Sequence, residues 1–143
     1  MTPGLAFPDP IRSFLDDLRY ATIATTDPSG MPRQAVVWYT VDGDEILINS
    51  AVGRRWPSNL VRDARIAFSV IDAANGLRWV GLIGTVQAIT DRATTQADIA
   101  AMARRYHANE PGEAERIIGD QFEREDRISF RFRASAIHDE LDG

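Results

Sequence analysis

Arg127-Ile128-Ser129-Phe130-Arg131-Phe132-Arg133-Ala134-Ser135-Ala136 alternates between apolar and polar residues along its whole length. Ile128, Phe130, Phe132, Ala134 and Ala136 fall on one side, and Arg127, Ser129, Arg131, Arg133 and Ser135 on the other. A period of two is that of an extended strand, whose successive side chains point to opposite faces. One face is read as core and the other as facing water or a partner. Such a strand needs neighbours, and the chain before it supplies them.

Tyr20 to Thr26 is apolar and β-branched and stops at the turn signal Asp27-Pro28-Ser29-Gly30. Gln34 to Val41 reads as a second strand. Asp42-Gly43 supplies a tight hairpin turn, where positive φ is required, and Glu45 to Asn49 returns. Arg65 to Ile71 follows, with Ile66, Phe68 and Val70 on one face. Arg78 to Ile89 is a long strand in which Gly81 and Gly84 mark a bend, a bulge or a close backbone approach. That makes about six strands joined mostly by short turns, an arrangement that tends to close into a barrel because closure removes exposed edges.

The helices are peripheral. Asp9-Pro10 opens one, with Asp9 as N-cap and Ile11, Phe14, Leu15 and Leu18 on its apolar face. Ile99, Met102, Ala103 and Tyr106 share a face of a second. A third runs roughly from Gly112 to Phe122. Residues 1–8 read as a flexible arm. With no internal repeat, low-complexity segment or linker, residues 1–143 are read as a single domain.

Composition narrows the function. The chain has 143 residues, 44% of them apolar and 26% charged, the balance of a globular protein with a real core. It contains no cysteine, which rules out disulfides and thiolate chemistry and suits a reducing cytoplasm. No apolar run approaches the ~20 residues that span a bilayer. Met1 to Pro10 lacks the features of a secretory signal. A net charge of −5 argues against broad nucleic-acid binding. The expected setting is therefore cytoplasmic, with neither membrane nor nucleic acid as partner.

The candidate site is Asn49-Ser50-Ala51-Val52-Gly53-Arg54-Arg55-Trp56-Pro57-Ser58-Asn59-Leu60. A strand ends in polar residues, a glycine lets the chain turn, and paired arginines precede a proline that starts a short helix. A helix N-terminus offers free N–H groups and partial positive charge, and guanidinium forks match phosphate oxygens. The segment reads as a phosphate site or, alternatively, as two arginines on a solvated helix end. In Leu77-Arg78-Trp79-Val80, tryptophan beside arginine suits stacking on a planar ligand, or else a core or interface position. Trp38 and Trp56 carry the same two readings. His107 and His138 stand in no metal-ligand pattern, and no metal is expected. The acidic run from Glu110 to Glu125 reads as a solvated helical face. No Ser/His/Asp signature is visible, no catalytic residue is assigned, and a cofactor would carry the difficult step.

Four stretches in order resemble the flavin/deazaflavin split β-barrel superfamily, which includes pyridoxamine 5′-phosphate oxidase-like proteins and deazaflavin-dependent reductases. They are Tyr20 to Thr26 with Asp27-Pro28-Ser29-Gly30; Arg33 to Tyr39; Gly53-Arg54-Arg55 through Asn59 to Arg65; and Arg78 to Gly84. The resemblance implies a mainly β fold, a six-stranded antiparallel split β-barrel with peripheral helices. It also implies a homodimer with cofactor sites at the subunit interface. Gln34, Val36, Val37 and Trp38 would run along the tricyclic ring, largely through backbone groups. Asn49 and Ser50 would meet the ring's side chain or phosphate. Arg54 and Arg55, after the Gly53 turn, would pair with the phosphate, and Asn59 would brace the loop. Arg78 and Trp79 would close over the ring from the opposite subunit. Trp56 stands where relatives usually carry a phosphate-binding lysine, which shifts the charge to Arg54 and Arg55. Residues 133–143 lack the arginine–histidine pattern of true pyridoxamine phosphate oxidases.

By that likeness, the expected function is an oxidoreductase that uses coenzyme F420 as hydride donor to reduce a small organic substrate. Tyr39 or solvent would deliver the proton. The alternatives are an FMN-binding oxidase or reductase of the pyridoxamine 5′-phosphate oxidase type, and a non-catalytic flavin, deazaflavin or haem binding protein.

Overall fold

The computed structural model describes residues 4–142. Helix α1 (Asp9–Asp16) is followed by strands β1 (Ala21–Thr26), β2 (Pro32–Val37), β3 (Thr40–Asp42) and β4 (Glu45–Ala51). Helix α2 (Arg55–Arg62) leads to β5 (Arg65–Asp72), β6 (Asn75–Thr85) and β7 (Gln87–Ile89). Helices α3 (Arg92–Tyr106) and α4 (Pro111–Asp120) and a 3-10 turn, Phe122–Arg124, precede the last strand, β8 (Arg127–Asp139). All strand pairs are antiparallel, in the order β2-β1-β5-β6-β8-β4-β3, with β7 also paired to β8. The sheet curls into a half-barrel around Ile23, Ile46, Ile48, Phe68, Val70, Leu82, Phe130 and Phe132.

Eight strands stand where six were expected, because two of the expected strands break. Between β2 and β3, the backbone of Tyr39 is taken up by helix α3. Its N–H donates to the Tyr106 hydroxyl (3.1 Å), and its carbonyl accepts from the Arg105 guanidinium (2.9 Å). Buried peptide groups must be paired, and these pair with side chains instead of a neighbouring strand. Between β6 and β7, the Val86 N–H leaves the ladder for the Ala64 carbonyl at 2.8 Å.

Smaller differences have equally local causes. Asp42 pairs with Glu45, so the hairpin loop is Gly43-Asp44, with positive φ at Gly43 alone (62°). Pro8 is the N-cap of α1 and Asp9 lies in its first turn, while Leu18 falls beyond the helix and is exposed. Residues 1–3 of the expected arm lie outside the described residues. Of the rest, Leu5 N–H donates to the Ala134 carbonyl (2.8 Å) and Phe7 is buried in the core. That part of the arm is docked.

β8 holds the sheet together. Its first half, Arg127 to Arg133, pairs residue for residue with β4, and its second half pairs with β6. Ser135 has no partner in that register: Gly84 faces Ala134 and Ile83 faces Ala136. One extra residue slips the alternation by one, so Ala134 is buried, Ala136 is exposed and Ile137 turns partly inward. The opposite face also departs from a simple water-facing strand. Arg127 and Ser129 are buried beneath α3 and the 3-10 turn, beside a second apolar cluster of Leu47, Ile99, Met102, Ala103, Ile118 and Phe122.

Gly84 sits at the bulge because nothing larger fits. A Cβ there would lie 2.6 Å from Phe132 Cδ2 and 2.9 Å from the Arg133 carbonyl oxygen. The second contact is backbone and cannot rotate away. Gly84→Ala is expected to destabilise the fold by about 1–3 kcal/mol, as overpacked core positions do, measured as a lowered urea midpoint.

Candidate functional site

A groove of about 260 Å³ opens where β2 ends, between β4, the start of α2 and the α3–α4 layer. Val36, Val37 and Trp38 form one wall, Asn49, Ser50, Arg54 and Trp56 a second, and Ile99, Ile117, Gln121 and Phe122 a third, with Arg127 beneath. Among the described residues β2 pairs only with β1, so every second N–H and C=O on its other edge has no strand partner there. The tryptophans are fixed by packing. Trp38 stacks on Tyr106 with ring centres 5.0 Å apart and planes 8° from parallel, and Trp56 leans on Phe130 at 5.9 Å.

The loop between β4 and α2 divides its two arginines. Gly53 takes a φ of 95°, which an L side chain rarely adopts, and Arg54 then caps the helix in an extended conformation. Arg54 is exposed at the groove's edge, with Nη2 3.6 Å from Glu125 Oε2. Arg55 turns away and lies 3.5 Å from Asp27. The first intrahelical donor is the Ser58 N–H, bonded to the Arg54 carbonyl. Donors of the preceding turn have no intrahelical acceptor, and Pro57 has no N–H to satisfy.

Asn59 is buried inside this loop. Its Nδ2 donates to Thr25 Oγ1 (3.1 Å) and Asp27 Oδ1 (2.8 Å), and its Oδ1 accepts from Arg62. Asp27 also accepts from Arg33 Nε at 2.9 Å. The Asn59 hydrogen bond, then those of Arg33, hold the Asp27 carboxyl below the usual carboxylate range. This cluster ties the turn after β1 to helix α2.

Asn49 anchors a second cluster, under the groove. Both its amide donors are engaged, by the Thr95 carbonyl (3.0 Å) and Ser129 Oγ (2.9 Å), and its Oδ1 accepts from Arg127 Nε (2.9 Å). Ser129 in turn donates to Asp98 (2.7 Å). Arg127 completes the set with Nη1 on Glu125 Oε1 (2.8 Å) and its guanidinium 4.7 Å over the Phe122 ring. Burial pulls the Arg127 pKa down, and Glu125 opposes that shift.

Other expected site residues lie elsewhere on the chain. Gln34 and Trp79 line a separate shallow depression of about 360 Å³ on the outer face of the sheet. Arg78 bonds the Leu141 carbonyl (3.2 Å) and Asp72 (3.3 Å). Tyr39, considered as a proton donor, is fully buried with its hydroxyl on the Leu15 carbonyl (2.8 Å), and burial raises its pKa. It cannot serve the groove.

Arg127 and Glu125 were not singled out in the sequence, where one belongs to an alternating strand and the other to an acidic run. Their role emerges only from strand register. β8 runs antiparallel to β4, and a register that pairs Ala51 with Arg127 brings the start of β8 beside the Gly53-Arg54 turn.

Sheet order, half-barrel core and lateral groove define a split-barrel protein. The chain belongs to the pyridoxamine 5′-phosphate oxidase family, whose family model matches residues 7–138. The family is named for an oxidase, and membership makes the chain an oxidoreductase-type protein. Among solved structures, an F420 reductase superposes with a TM-score of 0.73 at 23% identity, covering 92% of this chain and 98% of that one. A conserved protein from Mycobacterium tuberculosis superposes with a TM-score of 0.77 at 23% identity, covering 97% and 87%. HupZ of Group A Streptococcus follows at 0.64 and 14%, covering 96% of each chain. At these identities the likeness establishes the fold. No curated protein matches the chain.

The Asp27 cluster has a pH signature. A carboxyl whose folded pKa is depressed contributes stability above its unfolded value, about 4, and loses it as pH falls through the folded value. Asp27→Asn is therefore expected to be less stable than the parent at pH 7, with the gap narrowing below about pH 4. Parallel thermal melts across that range check it; a gap independent of pH would sink the assignment.

Proposed function

We propose that the protein is an oxidoreductase that binds the deazaflavin coenzyme F420 and uses it to reduce a small organic substrate. The observation that carries this reading is the groove. It joins an unpaired strand edge and an aromatic-rich wall to arginine at one end, which suits a planar ring continuing into a phosphate. The end-to-end fold likeness to an F420 reductase supports it. When bound, the reduced cofactor supplies a hydride.

The chain's own residues bind and orient. The free edge of β2 at Val36 to Trp38 offers backbone donors and acceptors to the ring's polar rim. Trp38, Trp56, Ile99, Ile117 and Phe122 exclude water and keep the ring face apolar, so a substrate laid on it is held at reacting distance. Arg54 and Arg127 hold the phosphate, while Asn49 and Asn59 act behind them, fixing the loop and the buried guanidinium. The nearest carboxylate, Glu125, is held in ion pairs with Arg127 and Arg54, and the proton that accompanies the hydride is taken from solvent. No helix among the described residues is long and apolar enough to cross a membrane, and the reading takes the cytoplasm as the setting.

The active form is proposed to be a homodimer. On the outer face of the sheet, positions that a solitary domain would fill with charged residues are Ala24, Ala67, Gly81, Ile83 and Ala136. Ile83 is 56% exposed. Contiguous exposed apolar surface of this kind marks an interface. Gln34 and Trp79 border it, so a second copy packed there would contact both residues.

Titration by tryptophan quenching with F420 and with FMN tests the cofactor. F420 is expected to bind at about micromolar Kd, and Arg54→Ala to weaken it about tenfold or more, the loss of a charge-assisted phosphate contact. Tight binding of FMN alone would move the protein to the flavin branch. Ile83→Arg is expected to convert the dimer to a monomer in light scattering; a wild-type monomer would remove the dimer proposal.

A further inference from the structure

Arg127 is the buried cation of the groove, and Glu125 is its built-in anion. The Arg127 side chain is 4% exposed, yet it borders the groove. Its Nε and Nη1 are engaged by Asn49 and Glu125, and Nη2 has no protein hydrogen-bond partner among the described residues. Asn49 is itself pinned by Thr95 and Ser129, so the guanidinium has a fixed direction. Glu125 bridges the two arginines, with Oε1 2.8 Å from Arg127 Nη1 and Oε2 3.6 Å from Arg54 Nη2. Two guanidinium groups therefore share one carboxylate, leaving one positive charge in surplus. Of the neighbouring charges, Arg92 is paired with Asp126, and Arg55 and Arg33, neither of which lines the groove, share Asp27.

We propose that Arg54, Arg127 and Glu125 form a charge-selective anion site that accepts a monoanionic phosphodiester and discriminates against a dianionic phosphomonoester. A diester carries one negative charge and neutralises the surplus with Glu125 in place. A monoester near neutral pH carries a charge of about −1.5 to −2, and its excess charge faces the Glu125 carboxylate at short range. Coenzyme F420 presents its phosphate as a diester and FMN presents a monoester. The site thus favours the deazaflavin through phosphate charge, independently of the ring. This deepens the cofactor reading above and rests on it for the identity of the ring, but the anion site is defined by its own three residues.

The test separates ring from phosphate. Riboflavin and the phosphate-free deazaflavin core report ring binding alone, while FMN and F420 add the phosphate. All four are titrated by tryptophan quenching against the full chain at pH 8. In the parent, F420 is expected to bind about tenfold or more tighter than its core, and FMN little better than riboflavin. Glu125→Gln should tighten FMN about tenfold, change F420 less than about threefold and leave riboflavin unmoved. Arg127→Met should remove the F420 phosphate increment without changing binding of the core. An unchanged FMN-to-riboflavin ratio in Glu125→Gln overturns the proposal. If none of the ring compounds binds the parent, the cofactor reading fails by itself. The anion site is then judged by thermal shift with inorganic phosphate at pH 8, where Glu125→Gln must gain more than the parent, and equal shifts overturn it. Glu125 is partly exposed, so its variant tests the idea even if Arg127→Met fails to fold.

Discussion

The register of β8 against β4 and β6 is the constraint on which the rest depends. Seven consecutive pairs lock β8 to β4, from Glu45–Arg133 to Ala51–Arg127. At Ala134 the same strand changes partner to β6, and past Ser135 its faces are exchanged. A one-residue slip reverses every side chain. It would turn Ile128, Phe130 and Phe132 out of the core and Arg127 and Ser129 into it. The bulge lets one strand serve both parts of the curl, and Gly84 leaves room for it. Because that register also sets Arg127 beside the β4–α2 turn, the fold's main joint and the site's buried charge are fixed by the same hydrogen bonds.

The polar seam under the groove is costly in isolation. A buried guanidinium loses hydration, and desolvation is the largest influence on Arg127. Replacing the seam with aliphatic residues could give an equally stable sheet, since buried ion pairs are weak contributors to net stability. What the seam provides is direction. Asp98, Ser129, Asn49 and Arg127 form one chain of hydrogen bonds from the face of α3 to the floor of the groove. Each member limits the rotation of the next. A cation positioned this way can meet an anionic ligand without reorganising, which a surface arginine such as Arg54 cannot do as cheaply.

How much of this was legible follows from the range of the interactions involved. Period-two alternation and turn chemistry located every strand region, because those signals are local. Sequence could not show that Tyr39 and Val86 interrupt two of those strands, since their partners, Tyr106, Arg105 and Ala64, lie far off in the chain. Ala136 was misplaced for a related reason: a bulge is invisible in a pattern that continues unbroken through it. At the site, the loop from Asn49 to Asn59 was conspicuous, and the groove gathers Asn49, Ser50, Arg54 and Trp56 from it. Arg54 and Arg55 looked equivalent as neighbours, but successive residues at a helix start point in directions about 100° apart, and Asp27 captures the second. Arg127 and Glu125 stayed hidden because their role depends on register and on the cover supplied by Phe122.

The exposed edge of β2 ties solubility to function. Val36 is 70% exposed on a strand that, among the described residues, has a partner on one side only, and Met31, just before that strand, is 64% exposed. An uncovered apolar edge invites pairing with other chains. Common remedies are charges, proline or cover; here Pro32 and Arg33 occupy the start of β2, whereas Ala35 to Trp38 carry neither charge nor proline. The unprotected portion is the portion that borders the groove. In the proposed assembly a planar ligand takes up the free backbone groups, and a second copy covers the adjoining Ala24–Ala67–Ile83 surface. Edge and outer face are then buried together, so features that are liabilities in a solitary chain become the binding surface of the dimer.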